Sequence, residues 1–215
     1  MMIAEKILNL LYPAKCCFCH KLTEGEMVCR KCLDKLPYTG SNACQNCFGN
    51  IAACVSPLYY DADVKESILR YKFSSVTSYA SVYSDFIAKC VDENHITCDI
   101  ITWVPLSRIR RWKRGYNQAE LIALELAARL QLTSEVLLRK IRNNPAQSGT
   151  GNAAKRKANV QGVYKTINDD YIRGKRILLV DDVVTTGATL SECARMLKKA
   201  GCREVYAATL ARSKV

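Results

Sequence analysis

Asp181 and Asp182 stand side by side after an apolar run (177–180, ILLV), and Thr185, Thr186, Gly187, Ala188 and Thr189 follow shortly. The run shows no polar alternation, which predicts a central parallel strand buried on both faces. Two like charges at the end of such a strand are costly unless something uses them, and the carboxyl end of a parallel sheet is where α/β folds bind ligands. Small side chains with Gly187 at the turn let backbone N–H groups close around a phosphate. A helix over 190–199 adds its positive N-terminal dipole. No GK[ST] follows, so the stretch is not a P-loop. A solvated strand end with an N-cap would account for the acidic pair alone, but not for the whole stretch from strand to helix.

Strand, acidic pair, cradle and helix together resemble the 5-phosphoribosyl-1-pyrophosphate (PRPP) motif of type I phosphoribosyltransferases. That resemblance implies a parallel sheet flanked by helices and Mg²⁺ accompanying PRPP. It implies that Asp181 and Asp182 are the catalytic pair on the ribose 2- and 3-hydroxyls. Thr185, Thr186, Gly187, Ala188 and Thr189 would hold the 5-phosphate.

A second chemistry lies near the N-terminus, where eight of the twelve cysteines precede residue 55. Cys16/Cys19 and Cys29/Cys32 are each CxxC, a spacing that lets two thiolates on one tight turn bind one metal, and nine residues separate the pairs. Four thiolates make a closed tetrahedral zinc site with no vacant position. Its role is therefore structural, folding a segment too small to hold its own core. Lys15, Lys21, Arg30 and Lys31 are placed to offset thiolate charge. The third pair, Cys44/Cys47, is followed by Cys54 but by no fourth CxxC partner. Three readings stand for it: a second ribbon that has lost a ligand, a half site borrowing Cys17 or His20, or a substitute for one of the first two pairs. Cys90, Cys98, Cys193 and Cys202 read as buried small hydrophobes.

The chain of 215 residues, 49% hydrophobic, is long enough for one good core and a small appendage. The expected division is an N-terminal helix and zinc ribbon-like module over 1–57 and a phosphoribosyltransferase-like domain over 58–215. No apolar run approaches the length of a membrane span. The opening MMIAEKILNLLYPAK carries Glu5 and Lys6 in its apolar stretch and no small-residue cleavage site. It reads as an amphipathic helix stopped by Pro13, which places the protein in the cytoplasm. With 32 basic against 20 acidic residues the formal charge is +12, so polyanions are the expected company. The remaining periodicity predicts a strand at 58–60, helices at 63–73 and 78–93, a strand at 99–105 and a helix at 118–130.

Between those last two elements runs VPLSRIRRWKRGYNQAELIA, a basic loop whose guanidinium forks suit pyrophosphate. Its RGYNQ is similar to the RGFNQ of the ComF family, whose members join an N-terminal zinc ribbon to a type I phosphoribosyltransferase domain. The likeness continues in Tyr71-Lys72-Phe73 and in Arg139, Gln147, Arg156 and Asn159, covering nearly the whole chain in the expected order. The resemblance implies PRPP contacts from Arg108, Arg114, Gly115, Asn117, Gln118 and Lys72. It also implies a basic lid carrying Arg139, Gln147, Arg156 and Asn159. Segment 142–157, rich in Gly, Asn, Ser and Ala without periodicity, reads as a mobile surface loop that would exclude water on closing. Departures from the family pattern are Tyr116 and Tyr164 where Phe is frequent, GTGNAAK where a Leu is common, and the incomplete second ribbon.

Two functions follow as expectations. In one, Mg²⁺-PRPP binds at the carboxyl end of the sheet and a nitrogen nucleophile displaces pyrophosphate, or the protein responds to PRPP without turnover. In the other, the chain is a non-catalytic nucleic-acid binder in DNA uptake. The ComF resemblance then implies single-stranded DNA as ligand and helicase-like competence proteins as partners. The zinc module, the charge, and Trp112 and Tyr116 among arginines agree with it.

Overall fold

In the computed structural model, residues 14–142 and 160–214 are described, without the side chains of residues 45–47. The expected N-terminal amphipathic helix, Gln147, Arg156, Asn159 and nearly all of segment 142–157 lie outside the described residues, as does the side chain of Cys47. In chain order the elements are α1 (Arg30–Lys35), β1 (Cys44–Phe48), β2 (Ile51–Val55), β3 (Leu58–Tyr59), α2 (Ala62–Phe73), α3 (Tyr79–Glu93) and β4 (Ile100–Trp103). They continue with α4 (Arg108–Arg114), α5 (Gln118–Leu130), β5 (Leu138–Lys140), β6 (Tyr164–Thr166), α6 (Asp169–Ile172), β7 (Arg176–Val184), α7 (Ala188–Lys199) and β8 (Glu204–Arg212).

The main sheet has the order β1-β2-β8-β7-β4, with β3 pairing β8 beyond the end of β2. All its pairings are parallel except β1 with β2. The fold class expected from the sequence, a parallel sheet flanked by helices with a small Cys-rich N-terminal module, is the one observed. β7 lies between β4 and β8, and residues 177–180 are fully buried. Their side chains divide by the pleat. Leu178 and Val180 enter the core formed with α2, α3 and α5, while Ile177 and Leu179 enter the core beneath α7.

Two elements differ from the expectation. β7 does not stop at Val180 but continues to Val184, because β8 extends past it and keeps the ladder closed, Asp181 opposite Thr209 and Val184 opposite Arg212. The acidic pair is therefore inside a strand. The basic stretch after β4 is not a loop but the short helix α4, started by Ser107, whose Oγ accepts from the Arg110 N–H, and ended at Gly115 with φ +78°. Residues 44–55 form a hairpin at the edge of the main sheet, with Cys54 buried in the core under α7.

Among the described residues no helix is long and apolar enough to cross a membrane.

Candidate functional site

Because successive strand residues face opposite ways, Asp181 and Asp182 leave β7 on opposite sides. Asp182, buried, meets α2, where Lys72 Nζ donates to its Oδ1 at 2.8 Å. Burial alone would lower the Lys72 ammonium, but the Asp182 carboxylate outweighs it and holds the group above its ordinary value. Asp181 lies on the α7 side and accepts the Asp182 backbone N–H at 2.9 Å. Desolvation first, and the neighbouring Asp182 charge second, push its carboxyl up to about 7.

Both carboxylates line a cavity of 510 Å³ at the carboxyl end of the sheet. Thr185, Thr186, Gly187, Ala188 and Thr189 form one wall, and Lys72, Arg110, Arg114 and Lys140 also line it. Four cations against two carboxylates favour an anionic ligand. The wall ends at the start of α7, whose cap, Gly187 at φ +69°, supplies no side-chain acceptor for the first-turn N–H groups. Those donors and the helix dipole suit a phosphate.

α4 divides by helical spacing. Arg110 and Arg114, four apart, line the cavity, while Arg108, Ile109, Arg111, Trp112 and Lys113 are exposed. Arg114 is held by a hydrogen bond from Nη1 to Gln118 Oε1 at 2.9 Å and by the Phe73 ring, 5.1 Å from its guanidinium carbon. The RGYNQ residues behind it are builders. Gly115 turns the chain, Tyr116 donates its hydroxyl to the Tyr71 carbonyl, and Asn117 caps α5 while donating from Nδ2 to the Val104 carbonyl at 3.1 Å. Asn117 and Gln118 are buried and, like Arg108 and Gly115, do not line the cavity. Gln118 therefore acts through Arg114. Tyr116 packs against Tyr71, ring centroids 5.8 Å apart, and is no free stacking platform.

At β5 the geometry selects Lys140 rather than Arg139. Arg139 is exposed, whereas Lys140 lines the cavity with its ammonium 5.4 Å from the Tyr164 ring centre. Burial, then Arg110, lowers the Lys140 ammonium. Arg110 and Lys140 stood out in the sequence as charge only. The signals that separate them from their neighbours are the four-residue spacing to Arg114 and the strand alternation from buried Leu138.

The cysteine site is built differently. The sulfurs of Cys16, Cys19, Cys29 and Cys32 lie within 4.8 Å of one another, and among the described residues this is the one such metal-ligating group. Tetrahedral zinc at about 2.3 Å from each thiolate places sulfurs about 3.8 Å apart, and Cys19 Sγ to Cys29 Sγ is 3.8 Å. The Cys29 N–H donates to Cys16 Sγ at 3.4 Å. The residues fit a structural Zn²⁺. Cys44 lies outside this group, on β1. The knuckle docks through buried Phe18, edge-on to Phe86 at 5.7 Å, and through Arg70, whose Nη2 donates to the carbonyls of Cys17 (2.9 Å) and Phe18 (2.5 Å).

Models of two families match the chain: the phosphoribosyl transferase domain over residues 116–214 and the double zinc ribbon domain over residues 7–55. Competence protein F of Haemophilus influenzae is 27% identical over 216 residues, covering 96% of this chain and 93% of that protein. DNA utilization protein YhgH of Escherichia coli K12 is 30% identical over 198 residues, 89% of this chain and 80% of that protein. Competence protein ComFC of Bacillus subtilis is 32% identical over 159 residues, 72% of this chain and 62% of that protein.

Proposed function

The chain belongs to the ComF (competence protein F) family, and on that premise we propose that it binds Mg²⁺-PRPP in the cavity at the end of β7, in the service of DNA uptake. One observation carries the reading: an acidic pair and a glycine-capped helix start line the same cation-rich cavity. Asp181 and Asp182 take the ribose hydroxyls, residues 185–189 take the 5-phosphate, and Lys72, Arg110, Arg114 and Lys140 face the pyrophosphate. Mg²⁺, a hard cation suited to carboxylate and phosphate oxygens, fits this donor set and neutralises charge on the leaving group. In the transferase form, a nitrogen lone pair forms the bond to C1, the C1–O bond breaks, and its electron pair leaves with pyrophosphate. The nitrogen's proton passes to water.

Calorimetric titration of Mg²⁺-PRPP, with Asp181→Asn/Asp182→Asn as control and ³¹P NMR for pyrophosphate, tests this. Binding lost in the double variant supports the site, and release with an added acceptor establishes turnover. Binding without release leaves a PRPP-responsive factor, and no binding by wild type overturns the reading.

A second reading has its own support in the outer face of α4. Trp112 is 84% exposed and Ile109 53%, beside Arg108, Arg111 and Lys113, a stacking surface set in positive charge. Single-stranded DNA is the partner this suits. Trp112→Ala should weaken oligonucleotide binding by about 1–3 kcal/mol, and binding insensitive to added salt would contradict the reading.

A further inference from the structure

The phosphate cradle is a thin partition. A second cavity of 550 Å³ lies behind it, and Thr186, Gly187 and Ala188 line both spaces. Gly187 has no side chain, and no side chain caps α7. The cradle's support comes from the N-terminal hairpin. The β1–β2 turn sits against α7, and one edge of the Phe48 ring lies over Gly187: a Cβ added there would run into Phe48 Cε2 and fall 2.8 Å from Cδ2, inside contact distance. Gly49 makes the reciprocal approach, since a Cβ on it would fall 3.0 Å from Ser191 Cβ, in the first turn of α7. Two glycines thus interlock hairpin and helix start, with one aromatic ring as the wedge.

We infer that Phe48 is a positioning residue for the phosphate cradle: its ring, pressed on Gly187, fixes the first-turn amides of α7 at the distance a phosphate needs. The inference rests on the PRPP reading of the cavity. Ile51, paired with Phe48 directly after the turn and buried in the core under α7, anchors the hairpin. Phe48 is thereby tied to the main sheet through β2 and β8. Gly187 is needed twice, for its positive φ and for the space the ring occupies.

The test compares full-length wild type, Phe48→Ala and Phe48→Leu for binding of ribose 5-phosphate and of Mg²⁺-PRPP, with zinc content and melting temperature measured on each. Ribose 5-phosphate probes the cradle without the pyrophosphate contacts. A preorganised site that loses its backing should lose about tenfold in affinity for both ligands in Phe48→Ala. Zinc content should stay at the wild-type level, and Phe48→Leu should recover part of the affinity. Wild-type affinity for ribose 5-phosphate in Phe48→Ala overturns the inference and leaves the PRPP site standing. Failure of wild type to bind either ligand overturns both. Should Phe48→Ala not fold, Phe48→Leu decides: an unchanged affinity overturns the inference and a reduced one supports it.

Discussion

The cysteine knuckle and the β7 cavity both crowd groups of like charge, and they resolve the crowding in opposite ways. Four thiolates turn inward on one point, their sulfurs at the spacing of a tetrahedral metal and nothing left over for a ligand. Two carboxylates turn to opposite faces of a strand beside one cavity, one answered by Lys72 and the other pushed up to about 7. A closed cluster stabilises the fold, while an open, unbalanced one stores a cost that a ligand relieves. The two are joined through α2, which carries Arg70 to the knuckle carbonyls and, two residues on, Lys72 to Asp182.

The sharpest break is Cys29→Ser. Losing a ligand of the closed site should release zinc and lower the melting midpoint by about 10 °C, measured by calorimetry with zinc quantification. A variant that melts like wild type would show that the knuckle needs no metal. Next is Asp182→Asn, which leaves the Lys72 ammonium without its carboxylate. We expect about 2 kcal/mol of lost stability and about a hundredfold weaker Mg²⁺-PRPP binding, with zinc retained.

Asp181→Asn should act with the opposite sign on stability. A carboxyl raised from 3.8 to about 7 on folding binds its proton more tightly in the folded state, so wild-type stability falls as pH rises between those values. Asn escapes that loss. The variant should exceed wild type by about 1 kcal/mol at pH 8, a figure kept small because the side chain is part-exposed. The gap should close near pH 4, and denaturant melts across that range decide it. The mildest comparison is Lys140→Ala with Arg139→Ala. About tenfold loss of Mg²⁺-PRPP affinity is expected from the first and a change within twofold from the second; equal losses would remove the assignment drawn from strand alternation.

How far the sequence reached depends on the range of the interaction involved. Residues 177–189 and the CxxC pairs were legible because strand, turn, cap and metal spacing are local, each set within a few residues. The end of β7 was not, since its last four residues are strand only because β8 lies beside them. In RGYNQ the sequence marked Asn117 and Gln118 but not their neighbours: Asn117 donates to the Val104 carbonyl and Gln118 accepts from Arg114, contacts set by segments packed around them.

The sequence by itself determined the chemistry at hand: a parallel α/β sheet ending in an acidic pair, a glycine-bearing cradle, and four thiolates at zinc spacing, all consequences of residue type and short-range period. Only the tertiary structure decided which cations meet those carboxylates. It sent Asp182 to Lys72 and Asp181 toward Lys140, chose Arg110 over Arg108, and set Phe48 behind Gly187 from far along the chain. Such pairings depend on the pleat of β7 and on how helices and hairpin pack against it. Contacts between distant segments leave no period in the sequence from which they could be read.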